Sequence, residues 1–123
     1  MKICIIDDDK IYQLVMKKLI AKVDANLTVQ AFCNGEDAYN FYKENSCTAQ
    51  IILLDINMPK MNGWKFLDSI EKNKFTNAKI YLTTSSIAYS DRKKAKNYPI
   101  IEDYLVKPIT KEKIRQLVKP YTI

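Results

Sequence analysis

The chain alternates between short apolar runs and longer stretches in which apolar residues recur every three or four positions. Ile51, Ile52, Leu53 and Leu54 stand in a row, which suits a strand buried on both faces in the middle of a parallel sheet. Ile3 to Ile6 is a second such run, and it breaks abruptly into Asp7, Asp8 and Asp9. Ile11, Leu14, Val15 and Leu19 then recur at helical spacing among Lys10, Lys17, Lys18 and Lys22, predicting an amphipathic helix. Leu27 to Phe32 reads as a strand and Asn34-Gly35 as a turn, and Ala38, Phe41 and Tyr42 mark the inner face of a helix running to about Asn45.

After the central run, Pro59 and Gly63 bracket a loop, and Phe66, Leu67 and Ile70 mark a third helix. Lys79 to Thr83 predicts a fourth strand that ends in Thr83, Thr84, Ser85 and Ser86. A polar helix from about Ala88 to Asn97 follows, and its sparse apolar face implies loose docking. Asp103 to Val106 predicts a fifth strand that stops at Lys107-Pro108, and Ile114, Leu117 and Val118 face inward on a last helix before Pro120. Five strands alternating with five helices predict an α/β domain, a doubly wound parallel sheet with helices on both sides. Crossover handedness and short connections favour the strand order 2-1-3-4-5. That order brings the carboxyl ends of strands one, three, four and five to one edge, carrying Asp7 and Asp8, Asp55, Thr83 and Lys107.

Composition narrows the chemistry. A chain of 123 residues makes one domain with a single core, without repeats or linkers. It contains no apolar run of about 18 residues and no signal-peptide pattern at its start, so a soluble, cytoplasmic protein that spans no membrane is expected. Cys4, Cys33 and Cys47 lack metal-ligand spacing, and with no histidine they offer no zinc site of the Cys/His kind. The formal charge of +6 suits acidic partners or nucleic acid. The lysines are scattered and read as solvated helix faces, however, so no direct nucleic-acid contact is expected.

The strand-end cluster then becomes the informative feature. Two unit charges ~4 Å apart repel by ~4 kcal/mol at an effective dielectric near 20, so clustered carboxylates need a counter-charge. A hard divalent cation supplies it while leaving the acids ionised, and an oxygen-only set suits Mg²⁺. A lysine and a threonine hydroxyl in the same pocket would contact phosphoryl oxygens, and Asp55 is then placed as nucleophile toward an incoming phosphoryl group. Plainer readings exist for each residue. Asp55 could cap a turn, and Asp7 and Asp8 could favour a helix N-terminus through its dipole, although Asp9 alone suffices for that. Thr83 could be an ordinary strand residue, and Lys107-Pro108 could be a trans bond leading into the last helix. Tyr12, Tyr39, Phe41 and Tyr42 read as packing, and Trp64 as an aromatic near the active loop that reports on the site without acting in it.

Taken together, Asp7-Asp8, the stretch DINMPKMNG, Thr83, Tyr104 and Lys107-Pro108 resemble a response-regulator receiver domain of two-component signalling, over essentially all of the chain. The resemblance implies a flavodoxin-like, three-layer (βα)5 sandwich. It implies Asp55 as phosphoacceptor, with Mg²⁺ or Mn²⁺ held by Asp8, Asp55, the Asn57 backbone carbonyl and, through water, Asp7. Lys107 is implied to contact the phosphate, Thr83 and Tyr104 to act as the switch pair, and Pro108 to follow a cis peptide. Thr84 and Ser85 are implied to govern pocket access and the hydrolysis rate. Two departures stand out: IIEDY where the family often has glycine before the switch aromatic, and Thr84 where alanine or glycine is frequent.

The implied partners are a sensor histidine kinase or histidine phosphotransfer protein, and a downstream protein at the face of helix four, strand five and helix five. The expectation is a stand-alone receiver over residues 1–123, with no output domain after Ile123, monomeric or weakly dimeric on phosphorylation. It would catalyse only its own modification, and a relay shuttle that passes the phosphoryl group onward is the alternative. A phosphatase of the haloacid dehalogenase type would need a second acid two residues after Asp55, where Asn57 stands, and an amide cannot act as general acid. A flavin binder would need a hydroxyl- and glycine-rich loop after strand one, where Asp7, Asp8 and Asp9 would repel the flavin phosphate.

Overall fold

The computed structural model describes residues 1–45, 47–73, 78–85 and 89–121. Ser86, Ala88 and Ile123, expected in a hydroxyl run, at a helix start and at the end of the domain, lie outside the described residues. The strands are β1 (Lys2–Ile6), β2 (Thr28–Phe32), β3 (Ile51–Leu54), β4 (Lys79–Thr84) and β5 (Ile101–Val106). The helices are α1 (Lys10–Val23), α2 (Gly35–Glu44), α3 (Gly63–Asn73), α4 (Tyr89–Ala95) and α5 (Lys111–Val118), with a 3-10 turn over Lys119–Tyr121. All neighbouring strands pair in parallel, in the order β2-β1-β3-β4-β5 expected from the sequence.

Side chains alternate across the sheet, and each face has its own core. Ile3, Ile5, Ile51, Leu53, Tyr81 and Leu105 meet Met16 and Ile20 of α1 and Ile114, Leu117 and Val118 of α5. Cys4, Ile6, Ile52, Leu54, Ile80 and Leu82 meet Ala38 and Tyr42 of α2, Phe66, Leu67 and Ile70 of α3 and Ala95 of α4. Three layers result. The register sets Ile6, Leu54 and Leu82 side by side, so Asp7, Asp55 and Thr83, one residue further along each strand, come into line at the carboxyl edge.

Several helices begin where a polar side chain satisfies an otherwise orphaned backbone N–H. Asp9 accepts from the Tyr12 N–H at 3.0 Å, Asn34 from the Asp37 N–H at 2.8 Å and Thr110 from the Lys113 N–H at 3.1 Å. Asp9 therefore caps α1, which leaves Asp7 and Asp8 available for another role.

Of the apolar stripe that marks α1 as amphipathic, Leu19 packs against the core but the other three residues do not. Ile11, Leu14 and Val15 are 77%, 55% and 55% exposed, whereas Gln13, Met16 and Ile20 are buried. Gln13 sets this phase, because its amide donates to the Asp7 carbonyl at 2.7 Å and to the Phe32 carbonyl at 2.9 Å. Those hydrogen bonds tie α1 to the ends of β1 and β2, and Met16 and Ile20 follow on the same helical face. Phe41, expected on the inner face of α2, is 38% exposed, although its ring lies against Phe32 at 5.5 Å. Among the described residues no helix is long and apolar enough to cross a membrane.

Candidate functional site

The carboxyl edge of the sheet gathers the charged residues expected there. Strand alternation puts Asp7, Asp55, Thr83 and Lys107 on the face shared with α1 and α5. Asp7 is fully buried, and its Oδ2 accepts from the Lys107 ammonium at 2.6 Å while its Oδ1 accepts from the Asp9 N–H at 2.9 Å. Asp55 Oδ1 lies 3.9 Å from the same ammonium and accepts from the Ile56 N–H at 2.9 Å. Asp8 is exposed at the rim. Oxygens of Asp7, Asp8 and Asp55 all lie within 4.8 Å of one another. The set is oxygen-only and open on the Asp8 side, which fits a hard cation such as Mg²⁺, and one lysine sits among three carboxylates.

Burial pushes the Asp55 carboxyl up to about 6; Lys107 and the Ile56 N–H pull it down, while Asp7 and Asp8 push it further up. A carboxylate taken out of water and placed beside other acids is a stronger proton acceptor and nucleophile than a solvated one.

The β3–α3 loop is pressed closely on Asp55. Gly63 donates its N–H to the Ile56 carbonyl at 2.8 Å, and a Cβ on Gly63 would run into the Asp55 carbonyl. Gly35 donates to the Met61 carbonyl at 3.1 Å, tying the same loop to the start of α2. Between these anchors, Asn57 is exposed and Lys60 takes a φ of 64°. Trp64 follows at the start of α3, stacked on Tyr98 at 5.5 Å with the Lys94 ammonium 4.9 Å from its ring.

Thr83 is buried, and among the described residues its hydroxyl has no well-formed hydrogen bond. Thr84, next along β4, is turned by strand alternation toward the opposite face. It is fully buried, and its carbonyl accepts from the Lys107 N–H at 2.7 Å. The expectation that Thr84 covers the pocket finds no support in that placement, while Ser85 is exposed at the edge. The Lys107-Pro108 bond is cis, as the resemblance implied. Tyr104 is half-buried. It packs against the core under α3 and α4, and the Arg92 guanidinium lies 4.9 Å from its ring.

Residue-type reasoning missed three neighbours of these groups. Tyr12 places its ring 4.1 Å from the Lys107 ammonium, Gln13 ties the end of β1, and Arg92 covers Tyr104. The signal available for Tyr12 was its place one turn beyond an acidic strand end, which puts a first-turn side chain beside that end. Beside the Arg92–Tyr104 contact, a surface pocket of about 530 Å³ is lined by residues of α4, of β5 and of the connection between them, including Lys93, Lys96 and Tyr98. None of Asp7, Asp8 and Asp55 lines it.

Comparison with known proteins agrees with this architecture. A family model described as a response regulator receiver domain matches residues 3–119. Sensor histidine kinase CheAY of Helicobacter pylori is 30% identical over 115 residues, covering 93% of this chain and 14% of the relative. The probable C4-dicarboxylate response regulator DctR of Bacillus subtilis is 29% identical over 120 residues, covering 98% of this chain and 51% of the relative. The chain therefore spans about half, or far less, of the length of these relatives. A two-component response regulator from Legionella pneumophila superposes with a TM-score of 0.85 over 98% of this chain and 96% of that one, at 24% identity, and shares the fold.

Proposed function

Because this chain belongs to the response regulator receiver domain family, whose members are signalling domains that bind Mg²⁺ at an acidic pocket and interact with histidine kinases and downstream effectors, we propose that it accepts a phosphoryl group on Asp55. The observation that carries this reading is the Lys107 ammonium, held at 2.6 Å from Asp7 and 3.9 Å from Asp55 inside a cluster of three carboxylates. One counter-charge already stands between Asp7 and the acceptor, and the remaining negative charge suits a divalent cation.

In this reading Asp8, Asp55 and the Asn57 backbone carbonyl would hold Mg²⁺, with Asp7 as a further carboxylate of the set. Bound there, the ion would supply charge neutralisation for the phosphoryl oxygens. A carboxylate oxygen of Asp55 attacks phosphorus in line as the N–P bond of a phosphohistidine donor breaks, leaving an acyl phosphate, and the departing imidazole takes up a proton. Lys107 follows the developing charge, exchanging part of its contact with Asp7 for a phosphoryl oxygen. The donor is a sensor histidine kinase or a phosphotransfer protein, and the likeness to CheAY and DctR supports a place in two-component signalling.

The product carries about −1.5 to −2 charge and three acceptor oxygens, next to the buried Thr83 hydroxyl. Drawing Thr83 toward it shifts the population of Tyr104 positions and changes the face made by α4, β5 and α5, where a downstream protein reads the state. Ser85 and Asn57, exposed at the rim, flank the approach of hydrolytic water. Neither is a strong base near neutrality, so the acyl phosphate decays slowly.

Incubation with acetyl phosphate and Mg²⁺ should add one base-labile phosphoryl group, located at Asp55 by mass spectrometry and absent from Asp55→Asn. Unchanged labelling of that variant would remove Asp55 from the role. Asp8→Ala should weaken Mg²⁺ binding, whereas Lys107→Ala should leave it largely intact yet impair labelling or its consequences.

A further inference from the structure

Among the described residues two buried hydroxyls, those of Tyr12 and Thr83, have no well-formed hydrogen bond, and the only polar group either is close enough to engage is the other. Unmade hydrogen bonds of buried groups are costly, and the few that native structures keep call for an explanation. Two hydroxyls cannot fully satisfy each other, since whichever one donates to its neighbour leaves the neighbour's proton over. What the pair lacks is an acceptor.

The rest of Tyr12 is firmly placed. Its N–H is held by the Asp9 cap at 3.0 Å. Its ring carries the Lys107 ammonium 4.1 Å from its centre, and that same ammonium reaches Asp7 at 2.6 Å and Asp55 at 3.9 Å. The aromatic face thus supports the lysine from one side while the carboxylates hold it from the others. Burial, reinforced by the nearby Asp7 charge, raises the Tyr12 phenol well above its usual range, so the group stays protonated and can donate.

We infer that Tyr12 is a further residue of the phosphoryl site: its hydroxyl, together with that of Thr83, donates to an oxygen of the group carried by Asp55, and its ring seats Lys107 for the same group. This rests on the reading of Asp55 as acceptor. An acyl phosphate on Asp55 brings three acceptor oxygens. The Mg²⁺ set and Lys107 account for some of that capacity, and the hydroxyl pair supplies donors for the remainder. A tyrosine on α1 thereby links the first helix to the switch hydroxyl on β4 and the lysine after β5.

Beryllofluoride with saturating Mg²⁺ is the probe. Tyr12→Phe keeps the ring and removes only the hydroxyl. It is expected to weaken beryllofluoride binding about tenfold, the scale of one hydrogen bond to a charged group, while Mg²⁺ affinity without fluoride stays within about twofold because no metal ligand is lost. Tyr12→Leu, which also removes the seat of Lys107, should weaken it further and slow acetyl phosphate labelling. In the unaltered chain, ¹³C-labelled tyrosine should show the Tyr12 ring carbon that bears the hydroxyl shifting on addition of beryllofluoride, a signature that packing alone would not produce. Equal beryllofluoride affinity in Tyr12→Phe, or an unmoved Tyr12 signal in a chain that binds the anion, would overturn the inference and leave Asp55 as acceptor untouched. Failure of the unaltered chain to bind beryllofluoride or accept phosphate would remove both readings together.

Discussion

The centre and the edge of this sheet are built on opposite plans. At the centre, β1 and β3 are covered on both faces, and the residues that follow them, Asp7 and Asp55, are held by short contacts to Lys107, Asp9 and Ile56. At the β5 edge, α4 buries Ala95 but leaves Arg92, Lys93 and Lys94 exposed. Its contacts with neighbouring rings are Arg92 over Tyr104 and Lys94 over Trp64, each at 4.9 Å. Buried, charge-paired groups have few alternative positions, whereas a short helix with little buried apolar surface can be displaced at small cost. The candidate phosphoryl site sits where geometry is over-determined, and the candidate readout surface sits where it is not.

The sharpest test of this contrast is Lys107→Ala. It would leave the Asp7 carboxylate, 1% exposed, without its counter-charge, and breaking a buried pair in this way costs about 3 kcal/mol or more. Urea unfolding at neutral pH without metal should show a loss of that order. A loss below about 0.5 kcal/mol, the size usual for surface substitutions, would mean that the centre is not held by this pair.

A smaller effect, of opposite sign, is expected at Asp55. Its carboxyl titrates at about 6 against an ordinary 3.8. A raised carboxyl pKa means that the folded chain binds more protons than the unfolded chain between those values. The group therefore favours the fold below pH ~4, and that contribution is lost as pH rises through ~6. In the absence of metal, Asp55→Asn should be more stable than the unaltered chain at pH 7.5 by about 2 kcal/mol, and the gap should close toward pH 4. A gap that stays constant across this range would show that the strain at the centre is not electrostatic.

The smallest effect belongs to the edge. Arg92→Ala removes one exposed cation–π contact, worth about 0.5–1 kcal/mol, so stability should fall by no more than that while the Tyr104 ring signals move. A larger loss would show that α4 is held more firmly than its burial indicates and would weaken the contrast between centre and edge.

Much of this was legible from residue order because the relevant physics is local. Apolar runs mark β1 and β3, helical spacing marks α2, α3 and α5, and a parallel sheet necessarily collects its strand ends. Residue order therefore suffices to assign Asp7, Asp55, Thr83 and Lys107 to one edge. Residue spacing also favoured the strand order, because short right-handed crossovers leave few alternatives.

Tertiary contacts decided the rest. A stripe of Ile11, Leu14 and Val15 looks like a buried face when hydrophobicity alone is counted. The amide of Gln13 nonetheless reaches the carbonyls of Asp7 and of Phe32, nineteen residues away, and these hydrogen bonds rotate α1 so that Met16 and Ile20 enter the core. The same rotation carries Tyr12 under Lys107, 95 positions later in the chain, and makes a packing aromatic a neighbour of the carboxylates. Tyr104 is half-buried because it packs against a core built from other elements, with Arg92 over its ring. Periodicity reports which residues of a segment prefer to leave water, but the face a helix presents also depends on polar groups elsewhere that must be satisfied. Those partners meet only when the chain has folded.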